Sequence, residues 1–468
     1  MNSHVIKVGG ENASDPRTAE WIARYHAQWN QIAVAISALR TKPLNTTSEL
    51  MKAQEAFVSW GMEGARPILE ELFRVHSQTL REAWMLDGEL EGKLRFLFET
   101  YFPWDLSFPA DLLKQHPWFA KEQRFVGYGE VMSAHVLAHL LEHRHKVANV
   151  LISDPIQGKR NDIDDSLRLA LSERVGNILE AWGVAIVPGY QTVFGQSILE
   201  AYGRGYTDKI AERIAVGLRD RWHTPTLHIQ KQVPLLSSNP KNIAGAVPLS
   251  RISYWTGAEI TGARGANAQV LNEHTISADI AWKWIPIWVY NPFESSWSKS
   301  IIDATGNSEW GIEFVDGRDH VATITVSGFS MSWPGLLSTL TDIFAWANIS
   351  IDSISSSETE VTFTIYGELT PLDQTELQEK IQMKLPASQY SVEVKNNLWL
   401  IYCIGDNLSG HPGVLENISS VLANGGIDIE CVSQSRGQRA VTIWVASEKL
   451  KRWVELLHEA LIEKKQKS

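Results

Sequence analysis

The sequence predicts an α/β protein: a layered domain on a largely parallel sheet, followed by a duplicated strand–helix–hairpin module. Up to about Ile302, short apolar runs alternate with amphipathic helical stretches, which is the pattern of parallel strands joined by helical crossovers. Beyond Ile302 two segments repeat one layout, the signature of an internal duplication. At 468 residues the chain exceeds one ordinary core, so two or three domains are expected.

"HVIKVGG" opens the chain as a β-type run stopped by Gly9-Gly10. "IAVAISAL" (Ile32–Leu39), "GVAIVPGY" (Gly183–Tyr190), "TPTLHIQ" (Thr224–Gln230) and "IPIWVYN" (Ile285–Asn291) continue the strand series. "DIDDSLRLALSERVGNILEAW" and "TDKIAERIAVGLRDRW" read as helices, as does most of the stretch between Leu50 and Gly129, interrupted by "TYFPWDLSFP". The repeats are "HVATITVSGFSMSWPGLLSTLTDIFAWANISIDSISSSETEVTFTIYG" and "NNLWLIYCIGDNLSGHPGVLENISSVLANGGIDIECVSQSRGQRAVTIWVA". Each holds a strand, a polar loop closing on Pro-Gly, a helix, then Asn-(Gly-Gly)-Ile-x-Ile leading into a second strand and a hairpin.

Hydrophobic residues at 44% and charged residues at 21% are those of a soluble globular protein. The formal net charge of −11 argues against nucleic acid or an anionic membrane as the main partner, because both select basic surfaces. No apolar run spans a bilayer, and "MNSHVIKVGG" lacks the layout of a signal peptide, so a cytoplasmic location is expected. The two cysteines, Cys403 and Cys431, lie in apolar strand-like runs and read as small buried hydrophobes, and no metal-ligand set is read. The nineteen tryptophans read mostly as packing or interface residues.

Chemistry concentrates in "AYGRGYTDKIAERIA", Ala201 to Ala215. Gly203 and Gly205 permit backbone angles closed to other residues, and Arg204 between them presents a planar fork that fits a carboxylate. Thr207 and Asp208 start a helix whose free amides attract anions; an Asp there is also stabilising without any ligand. Lys7, at the end of the first strand, reaches for phosphate oxygens while Gly9 and Gly10 offer amides, unless it is simply a solvated strand-end lysine. Ser37 and Thr47 follow the second strand, where hydroxyls suit a ligand crevice and equally a turn and a helix cap. Glu130, after Gly129, is expected at the head of an apolar-faced helix. Paired with Arg204 it would give opposite charges for the two ends of an amino acid.

These segments resemble the amino acid kinase superfamily, and within it the aspartokinases with their tandem ACT tail. "KVGG" parallels Lys-Phe-Gly-Gly-Thr-Ser, and "SAL…NTTSEL" parallels Ser-Ala-x-x-x-x-Thr-Thr-Asp-Glu-Leu. "YGEVMSA" parallels Gly-Glu-x-x-Ser, "GRGYTD" parallels Gly-Arg-Gly-Gly-Ser-Asp, and "QKQVPLLSSNP" parallels Thr-Asp-Val-x-Gly-x-Tyr-Thr-x-Asp-Pro. The resemblance covers nearly the whole chain. It implies a three-layer αβα kinase-like domain over 1–305, with a helical insertion at about 50–128, and two βαββαβ ACT domains at 313–390 and 395–468.

By that resemblance Lys7, Gly9 and Gly10, with Gln230 and Lys231 of the nucleotide segment, hold the ATP phosphates, and Ser37 lines the transfer site. Arg204 clamps the α-carboxylate of L-aspartate, Glu130 and Asp208 receive its ammonium, and Thr47 and Thr207 hydrogen-bond it. Lys7, Arg204 and Asp208 form the catalytic set. The implied reaction moves the γ-phosphoryl group of Mg-ATP to the side-chain carboxylate, giving 4-phospho-L-aspartate. A carboxylate is already a deprotonated nucleophile, so catalysis consists of positioning plus positive charge and needs no general base. ACT domains bind amino acids where they pair, which marks Pro334, Gly335, Asn348, Ile349, Pro412, Gly413, Asn424 and Ile427 as effector candidates. It also points to a homodimer through those domains.

The sequence departs from the family mainly on the nucleotide side. Glu11-Asn12 replaces Thr-Ser, Gln230-Lys231 replaces Thr-Asp, and Asn239-Pro240 replaces Asp-Pro. Asn267 stands where a phosphate-binding lysine is expected, with Lys231 or Arg264 as substitutes for its charge, and Tyr206 replaces a glycine, reshaping the pocket. Several of these departures resemble the aspartokinases of ectoine gene clusters. The alternative is a regulatory homologue that binds amino acid without phosphoryl transfer, or a kinase of another amino acid carboxylate.

Overall fold

The computed structural model describes residues 2–463, apart from 41–43, 105–118, 158–161, 195, 204, 263–270, 272–274, 295–298, 308–310, 330–333, 386–388, 435–436, 438 and 447–449. The chain divides into two compact units, one of Met1–Leu235 with Val270–Ala304 and one of Leu236–Gln269 with Thr305–Ser468.

The strands of the first unit are β1 (Asn2–Val8), β2 (Gln31–Ile36), β3 (Asn149–Leu151), β4 (Val184–Pro188), β5 (Thr224–Gln230), β6 (Ile287–Tyr290) and β7 (Ser300–Asp303). They lie in the order β3-β4-β2-β1-β5-β6-β7, parallel except for β7 against β6. β2 and β4 are buried along their whole length, as expected of parallel strands covered on both faces. The run Ile32–Leu39 predicts strand throughout, but β2 stops at Ile36, and the Ser37 amide makes the last bond to β1, at the Val8 carbonyl.

Alternation along β1 assigns the two faces. Ile6 and Val8 join Ile32, Val34 and Ile36 in a core with α1 (Gly10–Ala13), α2 (Arg17–His26), α3 (Thr46–Glu82), α4 (Gly88–Tyr101) and α5 (Phe119–His139). Val5 and Lys7 take the other face, toward α8 (Tyr206–Asp220), which packs on β1, β2 and β5 and against α6 (Ile163–Glu180). α3 is broken at Gly61, whose φ of 65° is open to glycine. Between α6 and α8 lies the short α7 (Ile198–Tyr202).

The tryptophans depart from the packing expectation. Trp29, Trp84, Trp182, Trp222 and Trp284 follow the ends of α2, α3, α6, α8 and α9 (Ala278–Trp282), with φ of 56–66°. They occupy the left-handed position that usually ends a helix on glycine, and their side chains are 52–91% exposed.

In the second unit one antiparallel sheet runs β9-β10-β8-β11-β13-β12, built from β8 (Phe314–Gly328), β9 (Ile351–Ser356), β10 (Glu360–Tyr366), β11 (Tyr390–Ile404), β12 (Cys431–Gln434) and β13 (Ala440–Val445). Its two long strands each serve two cores. Val321–Gly328 and Tyr390–Lys395 belong with α10 (Leu336–Trp346) and α11 (Pro371–Lys384). Phe314–Arg318 and Leu400–Ile404 belong with α12 (Val414–Asn424) and α13 (Leu450–His458). The second repeat therefore takes its fourth strand from residues that precede the first.

The duplication is visible in the backbone. Gly335 and Gly413 cap α10 and α12 with φ of 94° and 92°. Asn348 and Gly426 then leave those helices at φ of 54° and 71°, and Ile349 and Ile427 bond back to Phe344 and Leu422. Cys403 is buried and Cys431 half-buried, and neither forms a disulfide.

Candidate active site

Parallel pairing brings the C-terminal ends of β1, β2, β4 and β5 to one edge, where the chain must turn and side chains are free to face a ligand. A cavity of about 210 Å³ opens there, lined by Lys7, Gly10, Ser37, Thr47, Glu130 and Thr207, together with Arg40, Asn45 and Tyr206. A Cβ on Gly10 would lie 2.7 Å from the Ala38 carbonyl oxygen, so only glycine lets the turn after β1 approach the turn after β2. Gly203 and Gly205 have φ of 62° and 97°, the conformations read for them in the sequence. Arg204 between them lies outside the described residues, as do Arg264 and Asn267.

One end of the site is a charge cluster. Lys7 Nζ lies 2.8 Å from Asp208 Oδ1, both side chains buried, because the β1 face that carries Lys7 is the one covered by the first turn of α8. Lys231, next after β5, reaches within 4.0 Å of the other Asp208 oxygen. Burial and the neighbouring Lys7 ammonium bring the Lys231 amine down to about 8. Two cations thus share one anion, which leaves local positive charge. Gln230 is buried as the last residue of β5, and its carbonyl lies 3.5 Å from where a Gly9 Cβ would sit. Glu11 does not burden the cluster with a free negative charge, since Arg40 pairs with it at 2.9 Å.

The other end is Glu130. It sits in the middle of α5, not at the head of a helix, so its position is not a cap. Burial pushes its carboxyl up to about 7, offset in part by the Tyr206 hydroxyl, which donates to Oε1 at 2.6 Å. Between the two ends, Ser37 Oγ donates to Thr207 Oγ1 at 3.1 Å.

A set of residues behind the cavity holds the turn after β2. The Leu39 amide donates to Ser133 Oγ at 2.9 Å, and Ser133 in turn donates to the Gly129 carbonyl one turn back on α5. The Leu39 carbonyl accepts from Thr46 Oγ1, which lies 2.9 Å from His76 Nε2. The Thr46 proton goes to Leu39, so His76 is the donor in that contact, and burial keeps its imidazole neutral by lowering it to about 3. Ser133 and Thr46 stood inside the quoted motifs, but nothing local in the sequence marks His76.

Asn239 Oδ1 accepts from the Lys241 amide and shapes a local turn. The effector candidates belong to the second unit, where Pro334-Gly335 and Pro412-Gly413 precede α10 and α12. Asn348-Ile349 follow α10, Asn424 ends α12, and Ile427 lies just beyond it. A separate group of Glu89, His139 and His143 could hold a metal ion, which the sequence reading missed. Among the described residues no helix is long and apolar enough to cross a membrane.

Residues 2–274 match the amino acid kinase family, and residues 401–461 match the ACT domain. Aspartate kinase FUB3 of Gibberella fujikuroi is 23% identical in an alignment 380 positions long that covers 73% of this chain and 71% of that protein. The aspartokinase of Schizosaccharomyces pombe is 21% identical in an alignment 477 positions long that covers 94% of this chain and 89% of that protein. Two crystal structures share the fold. The Clostridium acetobutylicum aspartate kinase superposes with a TM-score of 0.73 at 16% identity, covering 98% of this chain and all of that one. Escherichia coli aspartokinase III, solved with aspartate and ADP, gives 0.66 at 19% identity with the same coverage. With more than half its length matched, and its sheet, turns and duplicated tail in the corresponding order, the chain belongs to the amino acid kinase family.

Proposed function

We propose that this protein is an aspartate kinase, transferring the γ-phosphoryl group of ATP to the side-chain carboxylate of L-aspartate. The observation that carries the reading is one cavity with two unlike ends: the Lys7 ammonium, with Lys231 close by on the shared Asp208, and a buried carboxyl at Glu130. A small zwitterion with an extra carboxylate fits between them. The curated relatives named aspartate kinase and aspartokinase, and the E. coli structure with aspartate and ADP, support the same reading.

On this reading Glu130 accepts the substrate ammonium, and Arg204 pairs with its α-carboxylate. Asp208, already shared by two lysines, serves to aim Lys7 rather than to bind substrate. Ser37, Thr47 and Thr207 orient the reacting carboxylate, which attacks without a general base. Lys7 and Lys231 fit phosphate groups, because their two charges face one carboxylate. Mg2+ would enter on the phosphates rather than in a protein cage, and when bound it neutralises charge on the transferring group. Amino acid effectors at Pro334-Gly335 and Pro412-Gly413, pairing of two chains through the second unit, and a cytoplasmic setting belong to the same proposal.

With aspartate, Mg-ATP and hydroxylamine, the purified protein is expected to form aspartyl hydroxamate, and Lys7→Ala and Arg204→Ala are expected to abolish it. Binding of aspartate without ATP, and no product above those variants, would instead identify a non-catalytic amino acid binder.

A further inference from the structure

Two histidines and two carboxylates meet where α4 begins and α5 ends. His139 closes α5, and the wider π-type turn Leu140–Arg144 that follows carries His143. This turn ends the helix and sets His143 beside His139. The two imidazoles stack with centroids 4.2 Å apart and planes 20° from parallel. Asp87 Oδ1 caps α4 by accepting from the Leu90 amide, while its Oδ2 lies 2.9 Å from His139 Nε2. Glu89, in the first turn of α4, brings a carboxylate oxygen 3.6 Å from His143 Nε2. One ligand atom from each of Glu89, His139 and His143 lies within 4.8 Å of the others.

A plain helix cap accounts for Asp87 and His139 but not for the rest. Stacked imidazoles repel if both are charged, and three carboxylates (Asp87, Glu89 and, 3.8 Å from His143, Glu142) surround this pair. His139 is 4% exposed, and its Nδ1 has no hydrogen-bond partner among the described residues. Imidazole nitrogens beside carboxylates are the donor set that zinc-type ions take up.

We propose that Glu89, His139 and His143 bind a divalent transition metal of the zinc class, with Asp87 as the carboxylate partner that metal-binding histidines ordinarily have. Glu89 and His143, whose side chains are 54% and 38% exposed, have solvent on one side into which they can reorient around an ion. Lys93, which pairs with Glu89 at 2.7 Å, is itself exposed and gives up that contact at little cost. The ion would clip the start of α4 to the end of α5, the helix that also carries Glu130 and Ser133.

The test uses the full-length, untagged protein stripped with a chelator and titrated with Zn2+ in a calorimeter, then with Co2+ for its visible spectrum. One equivalent per chain is expected, with tetrahedral Co2+ bands and a higher Tm once loaded. His143→Ala and Glu89→Gln, both at exposed positions, are expected to weaken binding by about tenfold or more. His145→Ala should bind like the unmodified chain. Absence of saturable binding, or equal binding in His143→Ala, overturns the proposal; neither result bears on the kinase reading.

Discussion

The hydroxyl of Tyr206, the residue that opens α8, donates to Glu130 in the middle of α5 at 2.6 Å, inside the protein. Tyr206 stands where the family has glycine, so a departure that looked like loss of space also supplies a hydrogen bond to the proposed ammonium acceptor. Tyr206→Phe removes that bond and leaves the ring. The KM for aspartate is expected to rise about tenfold, the worth of one hydrogen bond to a charged group, with kcat much less affected. Steady-state kinetics against aspartate at fixed ATP check this.

Glu130 makes both binding and stability depend on pH. Its carboxyl sits near 7 in the folded protein against 4.5 for an exposed one, with burial as the main cause. A raised acid contributes stability that is complete below about 4.5 and is lost as pH climbs to about 7. Glu130→Gln does not titrate, so from pH 5 to pH 8 its stability relative to the unmodified chain should improve by about 2–3 kcal/mol. Urea unfolding at the two pH values reads this directly. Aspartate binding should strengthen through the same window in the unmodified chain, as Glu130 ionises, and should lose that dependence in the variant.

Lys7 and Asp208 form a buried ion pair, and removing one member strands the other. Asp208→Asn is expected to destabilise the protein by about 3 kcal/mol. The double variant Lys7→Met with Asp208→Asn should cost less than the sum of the single changes, because Lys7 is no longer stranded beside a lost partner and only Lys231 keeps a charge in the cluster. A double-mutant cycle in urea measures the coupling. Additive costs would mean that the pair does not interact.

Trp222 ends α8 at a φ of 66° with its ring 91% exposed. A bulky side chain strains this conformation, glycine does not, and little packing is lost by the exchange. Trp222→Gly is therefore expected to stabilise the protein by about 1 kcal/mol, visible as a higher urea midpoint with an unchanged slope.

The strands were legible because they are short apolar runs bounded by turn residues, and Thr224–Gln230 is a strand over its whole predicted length. Helix ends and interiors were less so: Glu130 follows a glycine and read as a helix start, whereas tight packing of Gly129 on Ala38, Thr46 and Leu50 makes that glycine an interior one. Lys7 at the end of β1 and Ser37 just past β2 carry a local signature, an apolar run closing on a turn. His76 acts through Thr46 on the Leu39 carbonyl, a relation created only by packing of α3 under the turn. The pairing of Glu11 with Arg40 and the crowding of Lys231 onto Lys7 are likewise tertiary, so the sequence showed altered charges without showing how they are balanced.

The sharing of β8 between two cores has a consequence for biogenesis. During synthesis Phe314–Arg318 emerges first and waits, as an open edge, until Leu400–Ile404 has been made. The first repeat is completed in the interval, so the second closes around a finished neighbour. Proteolytic loss of the C-terminal tail would then leave an orphaned ribbon attached to the surviving repeat, a ready template for aggregation, and no single cut separates the two modules intact.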